Sequence, residues 1–421
     1  MANPGDTVEV ITTEKKYEGI LMPRPKSIKG NDVIIKLNSG YNIGISKRKI
    51  KKIKVIKKAK TKKSKVKKVK KNKNLPTVSI LSTGGTISSK VDYKTGGTYT
   101  SLNAEDFVAL EPKILEFANI KARQIEQIMS EDIHPKKWIK IAKEINKELN
   151  KKEVDGVVVT HGTDTMHYTT AILSFMFEKL SKPVVFVGAQ RSTDRGSSDT
   201  FMNLKCAVIA ATKKLGEITL CMHATTNDNF CYLHRGTKVR KMHTSRRDAF
   251  RSINQFPIAK IWSNGDVSFL SEFKISEKET KLRTKIEKKV ALIYSYPGIE
   301  PSLIDYFVKN GYKGIVIAGT GLGHVPKSLF TKIKKAVKKG IPVCITSQCL
   351  YGRNHEFVYS NLRKLKKTGA IFCEDMLLEV AYVKLMYVLG KTKNMEKIKE
   401  LMKKNLKGEI NLKISKDMFM V

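Results

Sequence analysis

The hydroxyl of Thr163 and the carboxylate of Asp164 stand side by side in the run VVVTHGTDTMHYTT, residues 157–170. A hydroxyl becomes a useful nucleophile or relay only when a neighbour takes its proton or steadies its anion, and an adjacent carboxylate is such a neighbour. A second hydroxyl, Thr86, lies in the run VSILSTGGTISSK, where Gly84 and Gly85 allow the backbone to approach a ligand closely. Asp164 needs a cation to stay ionised in a partly dry crevice. Lys241, within RGTKVRKMHTSRRDAF, is one candidate among many lysines. A lysine withdrawn from water gives up its proton more readily, by up to about 3–5 pKa units, and can then act as a base near neutral pH. Thr and Asp are also favoured helix N-caps, and on this stretch alone plain capping is the simpler reading of the turn at 163–164. The glycine runs are incomplete as nucleotide motifs. GGT lacks the Lys-Ser/Thr ending of a phosphate loop and the third glycine of a dinucleotide fingerprint, and GTGLGHV at 319–325 is only partial. No cofactor follows from either, and the cysteines show no metal-binding spacing.

Both hydroxyls fall where an apolar strand gives way to a helix. Val157–Val159 reads as a buried strand, and Met166, Ile172, Leu173, Phe175 and Met176 recur at helical spacing after it. In open α/β sheets such turns line the crevice beyond the carboxyl ends of the strands, where ligands bind. From Pro76 onward apolar strands alternate with helices, which predicts an α/β fold with mostly parallel sheets. The alternation divides into a larger domain over 76–271, carrying the threonines, a charged interdomain linker over 272–289, and a smaller domain over 290–421 with C-terminal helices. Residues 1–50 read as a small all-β, barrel-like unit of short alternating runs, followed by a lysine-rich linker over 51–75.

The formal net charge is +41, and Lys47–Asn74 alone holds 17 Lys or Arg with no acid. Charge of that size favours polyanions such as nucleic acid. No aromatic residue interleaves these lysines, so a solvated tether and an RNA contact both stay open. Six cysteines without paired spacing point to reduced, buried thiols. No apolar run reaches the roughly 18 residues of a membrane span and no signal peptide is evident, so a cytoplasmic protein is expected.

Gly84-Gly85-Thr86-Ile87 after one strand, and His161-Gly162-Thr163-Asp164-Thr165 after another, resemble the two signature motifs of the bacterial-type L-asparaginases. The resemblance extends from about Pro76 to Val388 and includes AGTGLGHVPKSLF. It implies that Thr86 is the nucleophile and that Thr163, Asp164 and Lys241 form a hydroxyl, carboxylate and amine relay. It also implies that Ser130 and Glu131, with Gly85, bind substrate. Tyr99 stands thirteen residues past Thr86, as a helper tyrosine does in those enzymes. His161 reads as a residue that shapes the turn.

Three features depart from a free asparaginase: Glu131 where Gln is usual, the very basic segment 235–254, and the added β unit with its tether. All three resemble the D subunits of archaeal glutamyl-tRNA(Gln) amidotransferases. That likeness implies a glutaminase whose ammonia passes to an E-type partner subunit, which converts Glu-tRNA(Gln) to Gln-tRNA(Gln) with ATP. It further implies no cofactor or metal in this chain, ATP and Mg²⁺ entering through the partner, and a homodimeric core within a heterotetramer. A stand-alone L-asparaginase/glutaminase is the alternative, and an RNA-binding protein with an inactive body is the more distant one.

Overall fold

The computed structural model describes residues 2–23, 31–38, 42–58, 71–85, 89–91, 98–100, 108, 111–193 and 197–419. The N-terminal unit is a five-stranded antiparallel sheet in the order Asn42–Ile45, Val33–Leu37, Lys16–Leu21, Thr7–Thr12, Ile50–Lys57. Val8, Val10, Ile35 and Ile45 form its buried centre. The unit continues to Lys57 instead of ending at residue 50, because Ile50–Lys57 pairs with Thr7–Thr12. Lysines mask that strand in the sequence, since only Ile50 and Ile53 turn toward the small core. The first part of the stretch assigned to a linker is therefore sheet; residues 59–70 lie outside the described residues.

The larger α/β domain is built on an eight-stranded sheet. Its first five positions are parallel, in the order Asn119–Gln124, Thr77–Ser82, Gly156–Thr160, Val184–Val187, Ile218–His223. Phe230–Arg235, Ala259–Trp262 and Val267–Phe269 extend it antiparallel. Successive side chains of a strand point to opposite faces. Val158 accordingly packs with Val78, Ile80 and Val185 in one layer, while Val157 and Val159 pack with Leu81, Val184 and Phe186 in the other. Both faces are covered, which is why the central strands are apolar without alternation. Each such side chain contributes about 1.5–3 kcal/mol on burial.

One topological feature matters most for the site. The first strand, Thr77–Ser82, has its successor in the chain, Asn119–Gln124, on one side and Gly156–Thr160 on the other. The order reverses between Thr77–Ser82 and Gly156–Thr160, and such a switch point opens a crevice at the carboxyl ends of the two strands. The loops that begin at Thr83 and at His161 leave from those two ends.

The smaller domain holds Val290–Tyr294, Gly314–Gly319, Val343–Ser347 and Ile371–Phe372 in a parallel sheet that follows chain order. Its helix Leu378–Lys391 packs on helix Met166–Met176 of the larger domain. Tyr387 stacks on Phe175 at 5.9 Å between centroids, and Tyr382 meets Tyr168 edge-on at 6.4 Å. One hydrophobic cluster runs through the junction, joining Leu173, Phe175 and Met176 to Leu385, Met386 and Val388. The charged interval 272–289 is likewise tied down, since Lys281–Leu282 pairs with Phe177–Lys179 and the Gly216 N–H donates to the Lys274 carbonyl. All six thiols are free, and five are buried. No helix among the described residues is long and apolar enough to cross a membrane.

Candidate active site

Three loops close on one another at the switch point. The Thr83 hydroxyl and N–H both donate to the Thr160 carbonyl, at 2.9 and 3.1 Å, and the Ile128 N–H donates to the Thr83 carbonyl at 3.0 Å. Gly84 and Gly85 have φ of +107° and +82°, a region that side-chain-bearing residues rarely adopt. A Cβ on Gly85 would lie 2.5 Å from the Gly162 backbone nitrogen, and one on Gly162 would lie 2.8 Å from the Ser130 hydroxyl oxygen. The glycines thus allow the 83–85, 128–132 and 161–165 segments to touch backbone to backbone. Thr165 completes the contact, its hydroxyl donating to the Ser130 carbonyl at 2.6 Å.

Lys241 enters this cluster from a distant part of the chain. It ends the strand Val239–Lys241, which pairs with Phe250–Ser252. Its Nζ donates to Thr163 Oγ1 at 2.9 Å and to Asp164 Oδ1 at 2.7 Å. The Lys241 side chain is 10% exposed and that of Asp164 64%, so a shielded amine meets a wet carboxylate. Thr163 itself is buried, and Gly188 makes room for it: a Cβ there would sit 2.8 Å from Thr163 Cγ2. The amine is thus held between a hydroxyl and a carboxylate, an arrangement through which a proton can pass.

The other residues singled out in the sequence fall around this centre. Ser130 is buried beside Gly162, and Glu131 follows it on the same short 3₁₀ turn with its side chain exposed. Gly85 directly precedes Thr86, and Thr86 lies outside the described residues. The backbone of Tyr99 belongs to the strand Thr98–Thr100, paired with Ser89–Val91. His161 is fully buried, its Nδ1–H donating to the Gly162 carbonyl at 2.7 Å, and burial lowers its pKa from 6.5 to about 4. His167, in the first turn of the following helix, is lowered to about 3 by burial and then by the nearby Arg240 and Lys241 charges. Both rings are therefore neutral at physiological pH. Among the described residues no group of three or more His, Cys, Asp or Glu is arranged to hold a metal ion.

Two supports went unnoticed in the sequence. Asp199, buried, accepts from the N–H groups of Gln190 and Arg191 at 3.0 and 2.9 Å and holds the loop that follows the Val184–Val187 strand. Gly188 opens that loop, and its place at a third parallel strand end was the available signal. The charges of the basic segment 235–254 are largely paired within the protein. Arg240 pairs with Glu379, Arg246 and Arg251 with Asp248, and Arg247 with Asp228. These arginines fasten the hairpin that carries Lys241.

Residues 77–274 match the family described as Asparaginase, N-terminal, and residues 289–402 the Glutaminase/Asparaginase C-terminal domain. Residues 2–56 match the GatD N-terminal domain. The chain is 52% identical over 416 residues to the D subunit of the glutamyl-tRNA(Gln) amidotransferase of Pyrococcus abyssi, covering 97% of this chain and 95% of that one. It is 46% identical over 415 residues to the D subunit of the same enzyme from Methanothermobacter thermautotrophicus, covering 98% and 94%. Among solved structures, the thermostable L-asparaginase from Thermococcus kodakarensis superposes with a TM-score of 0.72 at 30% identity, over 80% of this chain and 99% of that one. A probable cytoplasmic L-asparaginase from Campylobacter jejuni gives 0.66 at 30% identity, over 78% and 99%. The asparaginases match the two α/β domains, whereas the amidotransferase D subunits match almost from end to end, and the chain belongs to the family of glutamyl-tRNA(Gln) amidotransferase D subunits.

Proposed function

We propose that the chain is the glutaminase subunit of a tRNA-dependent amidotransferase, acting at the switch-point crevice. The observation that carries this reading is the contact of Lys241 with both Thr163 and Asp164, directly beside the Gly85 loop that leads into Thr86. Thr86 Oγ attacks the side-chain amide carbon of glutamine, the C–N bond breaks, and the nitrogen leaves as ammonia after taking up the threonine proton. Water then cleaves the acyl ester, releasing glutamate and restoring Thr86. Thr163, Asp164 and Lys241 move the protons, and Ser130, Glu131 and Gly85 hold the substrate's charged end. An E-type partner in the cytoplasm binds Glu-tRNA(Gln), uses ATP and Mg²⁺, and consumes the ammonia within a heterotetramer built on a dimer of this chain.

The test is ammonia release from glutamine by the co-purified complex, with and without Glu-tRNA(Gln). Thr86→Ala lowers the rate by more than about 10³-fold with the fold retained. Undiminished hydrolysis by that variant rules out Thr86 as nucleophile. Full hydrolysis of asparagine and glutamine by the isolated chain points instead to a stand-alone amidohydrolase.

A further inference from the structure

The strand that carries Lys241 presents alternate residues to two different domains. Lys241 faces the larger domain at Thr163 and Asp164, and Val239 enters the hydrophobic cluster that joins the two domains. Lys238 and Arg240 face the smaller one. Lys238 Nζ meets Asp375 at 2.5 Å, both side chains fully buried, and Arg240 Nη1 meets Glu379 Oε2 at 2.6 Å. Glu379 sits in the first turn of helix Leu378–Lys391, where the helix dipole favours a carboxylate. Its side chain is 1% exposed, and its second oxygen, Oε1, has no hydrogen-bond partner.

Oε1 lies 3.9 Å from Nε2 of His167, on the helix that begins two residues after Asp164. Glu379 therefore touches both arms of the relay from behind. One arm is the strand residue next to Lys241, and the other is the first turn of the helix that follows Thr163 and Asp164. Burial pushes the Glu379 carboxyl up and Arg240 draws it back, while the guanidinium stays charged. A buried ion pair is a poor net stabiliser compared with apolar packing, but its hydrogen bonds have a fixed direction. Directional restraint matters here because Lys241 must point at two oxygens at once.

We propose that Glu379, through Arg240, is a positioning residue: the smaller domain sets the direction in which Lys241 projects onto Thr163 and Asp164. The inference rests on the glutaminase reading above. It assigns Glu379 no contact with substrate.

The experiment compares Glu379→Gln, Arg240→Lys and Asp375→Asn in the co-purified complex, measuring kcat and KM for glutamine alongside thermal unfolding. Glu379→Gln is expected to lower kcat by about 10²-fold, the cost of roughly an ångström of misplacement, with KM within about twofold. Arg240→Lys retains a charge opposite Glu379 but not the guanidinium geometry. It is expected to lose about 10-fold in kcat, and it answers the same question if Glu379→Gln does not fold. Asp375→Asn breaks the neighbouring buried pair, so it should lower the unfolding temperature comparably while leaving kcat within about threefold. A folded Glu379→Gln or Arg240→Lys with unchanged kcat, or with a raised KM alone, overturns the proposal. So does an Asp375→Asn that loses as much kcat as Glu379→Gln. An unmutated complex that releases no ammonia overturns the glutaminase reading and this inference with it, a failure visible before any variant is made.

Discussion

The two α/β domains each follow a parallel strand with a glycine-rich turn, yet only one of these turns packs against a second loop. In the larger domain Gly85 packs against the backbone of another loop at Gly162. In the smaller domain the turn at 319–324 closes on itself. A Cβ on Gly319 would lie 2.5 Å from the Gly323 carbonyl carbon, and the Thr320 N–H donates to the His324 carbonyl at 2.9 Å. The difference lies in strand order. The smaller sheet follows the chain without reversal, so successive loops leave side by side and no crevice opens between diverging crossovers. Glycine permits a close approach, and topology decides what is approached.

The contrast is most exposed at the relay amine. Lys241→Met should cost about 10²–10⁴-fold in ammonia release, the usual range for losing a proton-transfer group, with the melting temperature little changed. A variant retaining more than a tenth of the activity would remove Lys241 from the relay. The two glycine turns can be set against each other by unfolding free energies. Gly85→Ala combines a positive φ with a backbone clash and should cost about 2–5 kcal/mol, together with activity. Gly321→Ala, with φ of +52° and nothing within 4 Å, should cost about 1–2 kcal/mol and leave activity intact. Equal losses would mean that the turns are not different in kind.

The domains also differ in where they keep histidine. His161, His167, His223 and His234 are buried in the larger domain, where His134 and His243 are exposed, while in the smaller one His355 is exposed and His324 partly so. Burial lowers His234 from 6.5 to about 3. Between those values the unfolded chain binds a proton that the folded chain refuses, so stability falls as pH drops below 6.5 and is fully present above it. Each such histidine adds up to about 1.4 kcal/mol per pH unit to that slope. Denaturant unfolding of His234→Gln between pH 6.5 and 5 should show a slope shallower by about that amount, and an unchanged slope would refute the buried, neutral ring. The smallest effect is expected at Thr320, exposed on the second glycine turn, where Thr320→Ala should leave kcat within about twofold.

Much of the site was legible because its parts are local. His161-Gly162-Thr163-Asp164 and Gly84-Gly85 are consecutive residues on tight turns, where residue type answers directly to backbone geometry. Lys241 carried no such mark, being 78 residues from Thr163 in a chain rich in lysine. Glu379 was invisible for the same reason at greater range, 139 residues from Arg240. The lysine-masked strand Ile50–Lys57 escaped because its two inward isoleucines, Ile50 and Ile53, are separated by a register shift and show no period-2 alternation. The arginines of 235–254 pair with Glu379, Asp248 and Asp228, partners that residue type alone did not indicate.

Strand and helix alternation, the two glycine-hydroxyl turns and the split into a β unit and two α/β domains follow from neighbours a few residues apart, whose periodicity and backbone preferences act over one or two turns. Which loops meet was decided only by the folded chain. The reversal of strand order brings Gly85 to Gly162, and the docking of helix Leu378–Lys391 brings Glu379 behind Lys241. Contacts of that kind depend on burying apolar surface between distant segments, a non-directional force that leaves no period in the sequence to read.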